Sequence, residues 1–376
     1  MKPRGDSPTK RIEVAARRFI ARQFNRPGGT IPVRKPCDAF VLGKNPTLLL
    51  LRQDKIGDAL ISIPVMRALR QKFPQAQIDI LLGKENFTIR RALGRYINDA
   101  LAYSKQPLDI LKLLRKLRRR HYDVVIDLID NSSATSAAIV RYCGSKYAIG
   151  VQKSNAAAYS HTVPLLDVSR THIVERIAQL LLPLGIDPSA IPLDLEYEIT
   201  AEERRRAIEI LSPKQGCFLV GLNLSSASET RMWDAEQWVE LAGSLEKALV
   251  NIQIIGFAAP NHRNLLARIA ENAPVTPAPI VASFHEFASM LSLCDGIISP
   301  DTSVIHLAAA WKTPCVVMFV RSNSDLKPWE PYLSPHRSLY ASVNIREISV
   351  ADATDAAIEL FLENKDKSSN TLLVSN

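Results

Sequence analysis

From Thr47 onward, short runs of Leu, Ile and Val alternate with longer stretches whose apolar positions recur every three or four residues. The runs predict strands and the longer stretches predict helices, and their regular alternation predicts a parallel α/β protein. In the first half, strands are expected near residues 47–52, 77–82, 123–129 and 146–150. Helices are expected near 59–72, 108–120, 132–142 and 171–184. Gly185 closes the last of these, and Asp187, Pro188 and Pro192 break the pattern, which predicts a domain boundary within 187–200. The second half repeats the theme, with strands near 217–222, 251–255, 296–299 and 314–319. Its helices are expected near 235–247, 262–272, 286–293 and 303–311, followed by a final helix over 350–364 and a frayed tail over 365–376. Two consecutive α/β halves imply a cleft between them, with ligands at the carboxyl ends of the strands.

One strand-to-helix connection stands out within this pattern. Residues 297–310 read Ile-Ile-Ser-Pro-Asp-Thr-Ser-Val-Ile-His-Leu-Ala-Ala-Ala. Pro300 is expected to stop the strand, and Asp301, Thr302 and Ser303 are all good helix N-caps. The first turn of such a helix carries unpaired amides and about half a positive charge, which suits a phosphate. The alternative is an ordinary connection that binds nothing.

Composition narrows the class. At 376 residues the chain is too long for one ordinary core, so two domains are expected. A hydrophobic share of 47% beside 23% charged residues is that of a soluble globular protein. No apolar run approaches the roughly 18 residues of a membrane span, and no secretory leader is visible. The five cysteines are scattered without metal-binding spacing, so free thiols in a reducing compartment are expected, with no metal.

Net charge is +9, and residues 1–26 hold eight Lys and Arg against two acids. Ile12, Ala15, Ala16, Phe19 and Ile20 can share one helical face there. This predicts either a helix lying on an anionic membrane or a solvated basic arm. Nucleic acid is not expected as a partner, because the rest of the chain lacks any recognisable nucleic-acid module.

Three groups of residues could carry chemistry. Strand one runs into Gln53-Asp54-Lys55-Ile56-Gly57-Asp58, where Gly57 allows a tight turn and Asp58 stands at the strand end. The Asp58 carboxylate suits either a general base or the N-cap of the following helix. After the first strand of the second half, Ser225 and Ser226 offer hydroxyls and Arg231 a planar donor fork for phosphate; the alternative is a polar loop with Arg231 in solvent. Trp233 and Trp238 are expected in the core. Arg115, Lys116, Arg118, Arg119 and Arg120 form a basic helix face, either solvated or holding anionic acceptor groups.

The stretch from Leu50 and Arg52 through Gly57, Asp58, Leu60 and Pro64, continuing to Phe73 and Pro74, resembles the opening of glycosyltransferase family 9, the bacterial ADP-heptose:lipopolysaccharide heptosyltransferases. Pro300-Asp301-Thr302 with His306 and Pro314, and the segment Lys327-Pro328-Trp329-Glu330-Pro331, resemble the same family. The resemblance implies an α/β GT-B fold of two Rossmann-like domains facing each other across a cleft. By this reading residues 1–46 are a basic extension, 47–192 the acceptor domain, 193–348 the nucleotide-sugar domain, and 349–376 a helix and tail.

It further implies an inverting transfer of heptose from ADP-heptose to a lipopolysaccharide inner-core acceptor, with neither bound metal nor cofactor. Asp58 would be the general base. Arg231, Ser225 and Ser226 would hold the diphosphate, while Asp301, Thr302, Ser303 and His306 would form the donor loop. An anionic lipid-linked saccharide acceptor implies a cytoplasmic enzyme in peripheral contact with the inner membrane. Alternatives within the fold are another nucleotide sugar, a protein acceptor such as an autotransporter, or a sugar-nucleotide epimerase; a non-enzymatic nucleotide-binding partner is the alternative outside catalysis. The chain departs from the family at Ser303, where glycine is usual, and serine enters left-handed backbone conformations less readily.

Overall fold

The computed structural model describes residues 29–321 and 327–365, with the backbone alone at 373–374. The amphipathic helix expected within residues 1–26 lies outside the described residues. Two compact units divide the chain, Met1–Leu193 and Asp194–Asn376.

The first unit is built on a seven-stranded sheet in the order β1-β7-β6-β5-β2-β3-β4. These strands are β1 (Ile31–Pro32), β2 (Thr47–Arg52), β3 (Gln77–Gly83), β4 (Asp99–Tyr103), β5 (Val124–Asp127), β6 (Tyr147–Val151) and β7 (His161–Val163), and every pairing is parallel. Four consecutive leucines, Leu48 to Leu51, are all fully buried in the central β2. A parallel strand covered on both faces needs such a run instead of an alternating pattern.

The helix expected over 59–72 is two helices, Ile56–Leu60 and Ile63–Lys72. Pro64 has no amide to give the preceding turn, so it serves in the first turn of a new helix. Helix Pro107–Arg119 buries Leu113 and Leu117. Just past its end, Arg120 pairs with Asp79 of β3 and with Asp99 of β4, the latter at 2.6 Å.

The second unit carries a six-stranded parallel sheet in the order β11-β10-β8-β12-β13-β14. Its strands are β8 (Phe218–Asn223), β10 (Ile252–Phe257), β11 (Val275–Pro277), β12 (Gly296–Pro300), β13 (Cys315–Val320) and β14 (His336–Ala341). A separate antiparallel pair joins β9 (Leu249–Val250) to β15 (Leu373–Val374), so two residues of the expected tail have strand backbone. Helix Val350–Asn364 docks through Ala353, Ala357, Leu360 and Phe361. The Phe361 ring lies so close to Gly296 that any Cβ there would collide with it. Trp233 and Trp238 are both core residues, packed edge to face at 5.1 Å.

Several elements escape the sequence pattern. The edge strands β1, β4, β11 and β14, and β7 beside β1, are short or polar, and helix Ala201–Leu211 begins directly after the 187–200 stretch read as the boundary. β12 does end at Pro300, which is itself the last strand residue, in register with Met318, one residue beyond the expected 296–299.

Candidate functional site

In the second unit the candidate site is the connection between β12 and helix Ser303–Trp311. Thr302 is the N-cap, and its hydroxyl accepts the Val304 amide at 3.3 Å. Asn223, the last residue of neighbouring β8, donates its side-chain amide to Ser299 Oγ at 2.9 Å and to Thr302 Oγ1 at 3.0 Å. Asn223 and Ser299 are both buried, so this lattice of neutral groups fixes where the helix begins. Arg231 sits at the rim in a short 3-10 turn and pairs with the Asp301 carboxylate at 2.8 Å. The same nitrogen also donates to the Asp301 carbonyl at 3.1 Å.

Ser225 and Ser226 follow β8, and their oxygens already accept. Ser225 Oγ takes the Ala259 amide at 2.8 Å and lies 3.0 Å from His262 Nδ1, while Ser226 Oγ takes the Ser228 amide at 3.3 Å. A hydroxyl that accepts from an amide still has its own proton to donate. Ser303 is the first helical residue, and it is not among the residues with positive φ. Serine is therefore unstrained where glycine was expected. His306 is the fourth helical residue, and its ring is buried.

Asp58 in the first unit is not an N-cap but the third residue of helix Ile56–Leu60. Its carboxylate reaches back to accept the Lys55 amide at 3.1 Å. Gly57 lies inside this helix without a positive φ, so it makes no special turn. The approach that does require glycine is at Gly83, where a Cβ would strike the Gln53 carbonyl and push the 53–58 loop off β3.

Arg52 organises the loop from below. Only 2% exposed, it donates to the Asp58 carbonyl and to the Leu128 carbonyl, both at 2.7 Å, and to Asp54 at 3.3 Å; its second terminal nitrogen stands 3.7 Å from the Asp58 carboxylate. Burial pushes the Asp54 carboxyl up to about 6, with Arg52 pulling it back and Asp58 and Asp127 adding to the rise. Arg52 Nη2, Asp54 Oδ1 and Asn86 Oδ1 are buried without hydrogen-bond partners among the described residues. Each such atom costs about 1–3 kcal/mol, so a native fold keeps them where something else uses them.

A further buried cluster stands at the carboxyl end of β5. Asp127 accepts from Lys153 at 3.0 Å and from the Tyr159 hydroxyl at 2.5 Å, and burial, together with Asp127, raises the Tyr159 phenol well above its usual range. Arg176 pairs with Asp130 at 2.8 Å just beyond. Sequence reasoning assigned no role to Asp54, Asp127, Lys153 or Tyr159, and treated Arg52 only as part of a motif. The signal was present in Leu-Leu-Leu-Leu-Arg and Val-Val-Ile-Asp, because a charge that ends a doubly buried strand must find a partner.

The segment 327–331 is held at β14. Tyr340 donates to Glu330 at 2.6 Å, and His336, 3.9 Å away, leads the contacts that pull the Glu330 carboxyl down to about 2. Glu330 in turn raises His336. Among the described residues no group of three His, Cys, Asp or Glu side chains is placed to hold a metal ion, and no helix is long and apolar enough to cross a membrane.

The family model described as glycosyltransferase family 9 (heptosyltransferase) matches residues 110–344, which include the β12 connection but begin after Asp58. The chain is 27% identical over 297 residues to lipopolysaccharide heptosyltransferase 3 of Escherichia coli K12, covering 73% of this chain and 82% of that relative. Among solved structures it resembles a glycosyl transferase family 9 protein from Veillonella parvula, with a TM-score of 0.71 at 19% identity, over 85% of this chain and 97% of the other. It also resembles E. coli heptosyltransferase WaaC with ADP, with a TM-score of 0.66 at 18% identity, over 84% and 99%. These likenesses establish the two-domain α/β fold of the GT-B heptosyltransferases.

Proposed function

Because the chain belongs to glycosyltransferase family 9, we propose that it transfers a heptose from ADP-heptose to the inner core of a lipopolysaccharide acceptor, inverting the anomeric centre. The observation that carries this reading is the β12 connection, where a helix start fixed by Asn223 and Thr302 has the Arg231 guanidinium at its rim. Relatives named as lipopolysaccharide heptosyltransferases, and a related fold solved with ADP, support the choice of sugar and nucleotide.

In this reading the acceptor hydroxyl gives its proton to Asp58 as its oxygen attacks the anomeric carbon, and the bond from that carbon to the diphosphate oxygen breaks. The leaving diphosphate gains negative charge. Arg231 and the positive end of helix Ser303–Trp311 stabilise it, with the Ser225 and Ser226 hydroxyls as further donors. Thr302 and Ser303 lie against the phosphates and Asp301 against the sugar. His306 is buried, so in this reading it supports the loop from within. Arg52 holds Asp58 in place through the loop carbonyl and the facing carboxylate.

The test is a thermal-shift series with ADP, UDP and GDP sugars, followed by mass spectrometry of the products formed on heptose-deficient lipopolysaccharide. Selective stabilisation by ADP-heptose and an acceptor mass gain of one heptose are expected. Stabilisation by a UDP sugar, or its conversion without any acceptor, would replace this reading with another donor or with epimerase chemistry.

A further inference from the structure

Helix Pro107–Arg119 presents one face that neither the fold nor the proposed chemistry uses. Leu108, Lys112, Arg115 and Arg119 recur at intervals of four, three and four residues, so they form one stripe, and Leu111 lies one turn from Leu108. The opposite face is the buried one, carrying Leu113 and Leu117. On the outer stripe Leu108 is 71% exposed and Leu111 52%. Beside them, Lys112, Arg115, Lys116, Arg119 and Arg120 line an open groove of about 560 Å³. Arg120 is committed to Asp79 and Asp99, whereas the other four have no ion-pair partner among the described residues.

We propose that this face docks on an anionic phospholipid bilayer surface, the basic side chains meeting the headgroups and Leu108 and Leu111 entering the interface. Charge complementarity selects an anionic partner, since cationic side chains alone line the groove. The leucines select a bilayer from among anions. A soluble phosphate or a nucleic acid gains nothing from two exposed leucines, whereas an interfacial helix is defined by apolar residues set among basic ones. The proposal does not rest on the assigned donor or on Asp58, because docking is read without turnover.

The test is co-sedimentation of the full chain with phosphatidylcholine vesicles, with and without phosphatidylglycerol, at low and high salt. Binding only to the anionic vesicles, weakened by salt, is expected. Each basic residue near such a surface contributes about fivefold. Lys112→Gln/Arg115→Gln/Arg119→Gln should therefore lower partitioning on the order of 100-fold. Leu108→Ser/Leu111→Ser should lower it severalfold while leaving its salt dependence in place. All five positions are exposed, and unchanged thermal unfolding checks that both variants fold. A triple variant that sediments like the parent would place docking elsewhere, in the basic extension for example, and overturn the proposal. Equal binding to neutral vesicles, or a leucine variant that binds undiminished, overturns it too.

Discussion

The two units solve one architectural problem with opposite materials. In each, a central parallel strand leads into a helix at the carboxyl edge of the sheet. The β12 connection is set by neutral groups, Asn223, Ser299 and Thr302, and leaves charge at its rim, where Arg231 meets Asp301. The β2 connection is set by a buried guanidinium between two carboxyls, and its helix has five residues against nine. A neutral frame with a cation at its edge suits holding an anion. A buried charge cluster that includes one carboxyl raised toward neutrality suits handling a proton. The difference supports the division of labour proposed above, in which proton transfer falls to the first unit and the leaving group to the second.

The sharpest way to break that division is Asp58→Asn. Its amide oxygen can still accept the Lys55 amide, so the loop should keep its shape while transfer falls by about 10²–10⁴-fold. Donor-induced thermal stabilisation should stay at the parent level. A loss of donor binding together with rate would mean that Asp58 serves the nucleotide sugar instead.

Arg231→Ala comes next, with an expected loss on the order of 10² in kcat. The variant also leaves Asp301 without its counter-charge, so Arg231→Ala/Asp301→Asn should recover part of the loss in steady-state assays. Failure of the second change to help would mean that the Asp301 carboxylate itself is needed, as its proposed place against the sugar requires.

A smaller effect separates the two connections by pH. The Asp54 carboxyl sits at about 6 in the folded chain against an ordinary 3.8, so the folded state holds this proton more tightly than the unfolded state does. Its stabilising contribution is complete below about pH 4 and is lost as pH rises through about 6. Asp54→Asn should therefore raise the urea midpoint at pH 8 relative to the parent and leave it nearly unchanged at pH 4. A parent and variant that differ equally at both values would assign the effect to packing.

The smallest expected change is Ser303→Gly. With no positive φ to relieve, glycine should cost up to about 1 kcal/mol of stability, and it should not improve donor binding. A gain in donor affinity would show that the serine Cβ crowds the ligand.

The sequence pattern revealed the central strands because apolar runs covered on both faces leave few alternatives, as Leu48 to Leu51 illustrate. It missed β14, His-Arg-Ser-Leu-Tyr-Ala, because an edge strand is only partly buried and has no need of an apolar run. Helix Ala201–Leu211 was hidden by its charge, although Thr200 and Glu203 form a capping box at its start. At the candidate site, Asp58, Arg231, Asp301 and Thr302 were legible as residue types beside strand ends. Arg52 was not legible as the organiser of the first connection, because its partner carbonyl at Leu128 comes from another strand end, 76 residues along the chain. Spacing along a sequence does not report such a contact. The strain feared at Ser303 came from a motif comparison, and backbone geometry removes it.

The ion pair between Arg231 and Asp301 changes what donor arrival means. The guanidinium already has a counter-anion, so under the proposed function a diphosphate would enter by exchange with a carboxylate and not by neutralising an isolated cation. The tethered carboxylate already offsets the guanidinium, so the donor KM should vary less with ionic strength than it would for an isolated cation. On the same proposal, that exchange would free the Asp301 carboxylate as the sugar arrives, as an acceptor for the hydroxyls of the donor whose phosphates displaced it.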